Sequence, residues 1–347
     1  MKSIVITGAD GFIGSHLVHY FSSRDMTVYA IIIKNSPMRY RIENCPHTTI
    51  IESDLHDAAL LEVLPRSPIA LIHLAWMGVS PEARNSADLQ LGNIDLCVTA
   101  AKLAAAISAE RFILPGSTAE YSYCNGLINR SALPSPLNVY GATKIACRYL
   151  CAAICEEYHI PYIYAVITGI YAADRKDNNI IYYTIASLLS GVTPQYTKLE
   201  QRWDYVHIDD VSEAFYRIAL HGRDGAFYTI GHGDNCPLHQ YIYTIRDIIN
   251  PHAAMNIGSI PYKNQQLPSS CVDLSSLTQD TGFIPKIEFA DGIRDVIRTV
   301  ASDMNITLSI YRRVQYELSY YRLWPLRCSH CPRTCGEGSF CRNMGTA

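Results

Sequence analysis

Tyr140 and Lys144 stand one helical turn apart in Tyr140-Gly141-Ala142-Thr143-Lys144, so a phenol and an ammonium share one helix face. A free phenol titrates at about 10 and is a poor base at neutral pH. An ammonium alongside favours phenolate and fits the group to move a proton on or off a hydroxyl as hydride leaves or returns. Lys144 has a second candidate role, holding a nicotinamide ribose. Ser117, in Pro115-Gly116-Ser117-Thr118-Ala119-Glu120-Tyr121, is the candidate hydroxyl that shares a hydrogen bond with Tyr140 and the substrate oxygen, with Thr118 in reserve. His73, in Ile72-His73-Leu74-Ala75-Trp76, reads as a structural histidine rather than an acid or base.

Hydride chemistry needs a carrier, and Gly8-x2-Gly11-x2-Gly14 offers it a place. The loop follows an apolar run at once and opens a helix at Phe12 and Ile13, the context in which such glycines are informative. Gly8 allows the turn, Gly11 lets backbone approach a pyrophosphate, and Gly14 lets the helix lie on a sheet. The free N–H groups of the helix start then face the phosphates. Asp54, followed by Leu55, either accepts from an adenine amino group or caps a following helix. Leu74 and Ala75, at the end of a strand, are expected beside the same cofactor. The second strand ends Ile33-Lys34-Asn35-Ser36, without the acidic residue that grips the ribose of NAD. Lys34, Arg39 and Arg41 follow instead, and their charge would meet a 2′-phosphate. That favours NADP over NAD, with solvated loop charges as the competing explanation.

Apolar runs at 3–7, 27–33, 48–52, 69–75, 111–115 and 162–168 read as strands, and 12–21, 88–107 and 137–158 as helices. This alternation predicts an α/β fold, a Rossmann-like doubly wound parallel sheet with a smaller C-terminal substrate lobe. The expected units are 1–170 for the dinucleotide, with some later segments contributing, 171–302 for the substrate lobe, and 303–347 as an extension.

Among 347 residues, 48% are hydrophobic and 18% charged, and the net charge of −3 gives no pull toward nucleic acid. No apolar run is long enough to span a bilayer, and the start carries no hydrophobic signal region, so a cytoplasmic location is expected. Of twelve cysteines, Cys147, Cys151 and Cys155 fall at helical spacing and read as small hydrophobes on a buried face. Cys328-x2-Cys331-x3-Cys335-x5-Cys341 matches no zinc or iron–sulfur spacing, so no metal is expected there. A disordered or partner-contacting tail is the preferred reading, and the aromatic and basic run from Tyr311 to Trp324 could pack on the body, on another subunit or on a membrane surface.

Thr7-Gly8-Ala9-Asp10-Gly11-Phe12-Ile13-Gly14, His73-Leu74-Ala75, Gly116-Ser117-Thr118-Ala119-Glu120-Tyr121, Tyr140-Gly141-x2-Lys144 and Asp204-Tyr205-Val206-His207 occur in this order. Together they resemble the NAD-dependent epimerase/dehydratase family, the extended short-chain dehydrogenase/reductases. The resemblance implies a nucleotide-activated sugar as substrate, a homodimer, and Arg202 near the substrate phosphates. Sugar 4,6-dehydratases of that family carry an Asp-Glu pair after the loop hydroxyl, where this chain has Thr118 and Ala119. Reduction of a 4-keto-6-deoxy sugar nucleotide is therefore the preferred expectation, and 4-epimerisation the alternative. A non-catalytic NADP-binding sensor or scaffold is the rival from another class. One departure weakens the substrate assignment. The family's Arg-x2-Asn-x-Tyr-Gly-Pro is here Val166-Ile167-Thr168-Gly169-Ile170-Tyr171-Ala172-Ala173, without the Asn that touches the substrate diphosphate.

Overall fold

Short runs of β-branched and apolar residues pair side by side, all in parallel, to form a seven-stranded sheet. The computed structural model describes residues 2–306 apart from 81, 125, 176–178 and 263–270. The cysteine-rich extension and its aromatic-basic run lie outside the described residues.

In chain order the sheet uses β1 (Ser3–Thr7), β2 (Thr27–Ile32), β3 (Thr48–Glu52), β4 (Leu71–His73), β5 (Phe112–Ser117) and β6 (Tyr162–Ile167). After β7 (Gly169–Tyr171), β8 (Gln195–Tyr196), β9 (Arg202–Trp203) and β10 (Tyr205–His207), the chain returns to it as β11 (Phe227–Ile230). The spatial order is β11-β6-β5-β4-β1-β2-β3. The direction of winding reverses between β1 and β4, where the strand ends of a doubly wound sheet open a ligand crevice.

Alternation along each strand supplies both faces of the sheet. In β1, Ile4 and Ile6 enter one buried cluster and Val5 the other. The first cluster is closed by α1 (Phe12–Ser22), through Leu17, Val18 and Phe21, and by α6 (Ile208–His221), through Val211, Phe215 and Ile218. The second is closed by α2 (Leu60–Val63), α3 (Ala87–Ala106) and α4 (Val139–Glu157). The cysteine stripe of α4 lies in that second cluster with Cys97 of α3, as its spacing implied. The Cys147 and Cys151 thiols donate to the carbonyls of Asn93 and Cys97 across the seam.

A third buried cluster gathers α5 (Ile180–Leu189), α7 (Leu238–Ile249) and α9 (Phe289–Asp303) around Tyr171, Tyr205 and Phe289. Its aromatic rings meet mostly edge to face, with Tyr241 and Phe289 centroids 4.8 Å apart. β7 and β10 pair in parallel between this cluster and the sheet. Among the described residues, no helix is long and apolar enough to cross a membrane.

Candidate active site

Two clefts lie at the carboxyl edge of the sheet. The first, about 560 Å³, is lined by Gly8, Gly11, Asp54, Leu55, Leu74 and Ala75 among others. Gly8 makes the turn out of β1 at φ 63°, a conformation that costs glycine little. A Cβ on Gly14 would press on the Gly8 carbonyl and lie 2.9 Å from the Ala9 Cα, so α1 approaches the loop as closely as backbone permits. The first turn of α1 has no side-chain cap. A bare glycine cradle ending on an uncapped helix start suits a pyrophosphate. Phe12 opens α1, and Ile13 lines the neighbouring cleft.

At the adenosine end, the Asp54 carboxylate accepts from the His56 backbone N–H at 2.9 Å and lies 2.8 Å from His56 Nδ1. Asp54 thus closes a turn, while still lining the cleft; α2 begins only at Leu60. The basic residues are disposed differently from the expectation. Lys34 is exposed just past β2, but Arg39 pairs with Glu43 and with Glu52. Glu52 ends β3 directly beside Ile32 of β2, so the neighbouring strand brings a carboxylate within reach of Arg39. The Arg41 guanidinium donates to the Asp10 carbonyl at 3.5 Å.

The second cleft, about 390 Å³, brings together Ser117, Thr118 and Tyr140. Ser117 ends β5 and caps a short turn: its Oγ accepts from the Ala119 N–H, and its own N–H donates to Glu120 Oε1 at 2.6 Å. Asn138 caps α4 by accepting from the Gly141 N–H at 2.9 Å, which sets Tyr140 in the first turn facing the cleft. Lys144, one turn on and buried, donates to the Pro115 carbonyl at 3.1 Å. Its ammonium sits 3.6 Å from the centre of the Trp76 ring, close enough for a cation–π contact, and 5.9 Å from that of Tyr140. Trp76 packs edge-on against Tyr140 and is held by the buried Gln90 of α3, whose Oε1 accepts the indole N–H at 3.2 Å.

Behind the cleft, His73 Nδ1 lies 2.8 Å from Thr7 Oγ1, tying β4 to β1. Burial, with the Lys144 ammonium adding to it, pushes this imidazole down to about 3, in keeping with a structural role. Glu120 also belongs to the interior. Its Oε1 accepts from Ser117 N–H and from the Tyr164 hydroxyl at 2.7 Å, and burial raises its carboxyl to about 7. The folded carboxyl holds its proton more tightly than the unfolded one, so stability falls as pH rises from the ordinary 4.5 to about 7 and stays lower above. Glu120→Gln keeps an acceptor and removes the ionisation. The melting temperature of the wild type is expected to drop more between pH 5 and pH 8 than that of Glu120→Gln; equal drops would contradict this linkage.

Several lining residues were not singled out by the sequence. Arg84 lies 5.2 Å above the Tyr140 ring, and Arg175 lines the opposite side, its guanidinium 5.5 Å from the Phe12 ring. The loop bearing Arg175 is tied to α1 by His16 and Asp174 at 3.1 Å. Arg202 was expected at the substrate phosphates, but it is exposed, and its neighbour Trp203 lines the cleft instead. Adjacent strand residues point opposite ways, so only one of the pair can face inward.

The model of the NAD dependent epimerase/dehydratase family matches residues 4–231. The chain belongs to this family, whose members are enzymes working with a nicotinamide dinucleotide. It is 24% identical over 329 residues to dTDP-glucose 4,6-dehydratase of Haemophilus influenzae, covering 86% of this chain and 97% of that one. It is 25% identical over 311 residues to GDP-6-deoxy-D-mannose reductase of Pseudomonas aeruginosa, covering 85% and 96%. Its fold is similar to that of UDP-N-acetylglucosamine 4-epimerase from Methanobrevibacter ruminantium, with TM-score 0.77, 23% identity, and coverage of 87% and 99%.

Proposed function

We propose that this enzyme reduces the 4-keto group of a 4-keto-6-deoxy sugar nucleotide, with NADPH as donor. The observation that carries the reading is the lining of the second cleft. It presents the hydroxyls of Ser117, Thr118 and Tyr140 and the cations of Arg84 and Arg175, and no carboxylate among the described residues. Elimination of water needs an acid and a base on the sugar carbons, and the nearest acidic side chain in sequence, Glu120, is committed to Ser117 and Tyr164. Ketone reduction needs only a proton donor at the developing alkoxide. Tyr140 delivers that proton, Ser117 steadies the same oxygen, and the Lys144 ammonium adds positive charge beneath the site. When bound, the nicotinamide supplies the hydride. Gly8, Gly11 and the start of α1 would hold its pyrophosphate, and Asp54, Leu55, Leu74 and Ala75 would border the rest.

The choice of NADPH rests on Lys34, because Arg39 is already paired with two carboxylates. The expected outcome of incubation with a panel of 4-keto-6-deoxy sugar nucleotides is stoichiometric NADPH consumption with at least one of them. Tighter binding of NADH than of NADPH in titration would overturn the cofactor assignment. Interconversion of sugar nucleotides without net NADPH consumption would identify a 4-epimerase. Dinucleotide binding with no turnover on any sugar would favour the sensor.

A further inference from the structure

The wall of the second cleft carries two polar side-chain atoms without a hydrogen-bond partner among the described residues. They are Trp203 Nε1 and Thr168 Oγ1, both buried. Both residues line the cleft, with Gly169 between them in sequence and space. Buried donors without partners are rare because each forfeits about 1–3 kcal/mol of hydration. Two on the wall of one cleft point to a ligand that completes them. An indole N–H donates only, so the group it awaits is an acceptor, whereas the threonine hydroxyl can donate or accept.

Gly169 explains how the indole comes to lie here. A Cβ at this position would lie 2.7 Å from Trp203 Nε1, so any side chain there would displace the indole. β7 pairs Gly169 with Tyr205 of β10, and the Tyr205 ring, 2.9 Å from the same position, closes the other side. The missing side chain thus lets the Trp203 and Tyr205 rings close directly on the β7 backbone. We propose that Trp203 N–H, supported by Thr168 Oγ1, holds an acceptor oxygen of the substrate, and that Gly169 stays bare so that the indole can take this position. The proposal rests on the sugar-nucleotide reading. It makes Trp203 and Gly169 a specificity pair in the cleft that Ser117 and Tyr140 also line. The oxygen belongs either to the diphosphate or to the hexose.

Calorimetric titration of the full chain with UDP-, dTDP- and GDP-hexoses, and then with the free nucleoside diphosphate of whichever binds, tests this. Trp203→Phe keeps the ring and removes the N–H. It is expected to weaken binding of the sugar nucleotide about tenfold or more, with NADPH affinity and melting temperature unchanged. Gly169→Ala, which displaces the indole, is expected to do the same, and to add little in the Trp203→Phe background, because both changes remove one interaction. A loss shared by the free diphosphate places the contact on phosphate; a loss confined to the sugar nucleotide places it on the hexose. Wild-type affinity in Trp203→Phe, or additive losses in the double variant, would overturn the assignment. Failure of the wild-type chain to bind any probe would overturn the functional reading and this assignment with it.

Discussion

Tyr140→Phe is expected to lower turnover by about 10² to 10⁴, the usual worth of a positioned proton donor. The ring itself has every reason to stay in place. Tyr140 is 9% exposed, packs edge-on against Trp76 at 5.6 Å, and has Arg84 above it at 5.2 Å. Phenylalanine fills the same space, so the melting temperature and NADPH affinity should match those of the wild type. What disappears is the hydroxyl that faces the cleft beside Ser117. The check is steady-state turnover on the best sugar nucleotide of the panel, alongside thermal unfolding and cofactor titration. Wild-type turnover in this variant would remove Tyr140 from the proposed chemistry.

Gly14→Ala should strike at an earlier stage, cofactor binding. The added methyl meets only backbone, the Gly8 carbonyl and Ala9, with no flexible side chain to yield. Overpacking of this kind costs about 3 kcal/mol. If the strain is relieved by lifting the glycine loop from α1, the dinucleotide loses about a hundredfold in affinity. If it is borne in place, the cost appears as lower stability in denaturant. A variant unchanged in both measurements would contradict the close approach described for this loop.

Much of the frame was legible because the central strands are apolar and separated by amphipathic helices. β1 and β3 fall where the pattern put them, and α3 and α4 within two residues. β5 runs on to Ser117, beyond the expected end, because pairing with β6 continues through Pro115 and Gly116. β11, which pairs with β6, was expected only as an unplaced later segment, since it joins the sheet after a long excursion and local periodicity carries no trace of where it returns.

The site divides in the same way. The glycine loop, Ser117 and the Tyr140–Lys144 pair could be read because the chemistry is written within a turn or two of chain. Glu120 had a local signal, the Ser-x2-Glu spacing of a capping box. Arg84, Arg175 and Trp203 had none: each reaches the cleft from a loop, a single helical turn or a two-residue strand whose facing only tertiary structure decides. The pairing of Arg39 with Glu52 was hidden for a related reason, the two residues being neighbours across strands rather than along the chain.

The cysteine seam between α3 and α4 has a use unrelated to chemistry at the cleft. Cys97, Cys147, Cys151 and Cys155 are at most 1% exposed, and burial pushes the Cys155 thiol up to about 12. In the closed molecule these sulfurs are out of reach of an alkylating reagent. They react only in the moments when the two helices part, so the rate at which they are consumed is a clock for local opening. α4 also carries Tyr140 and Lys144, so that clock would time the loosening of the element that bears the proposed proton donor.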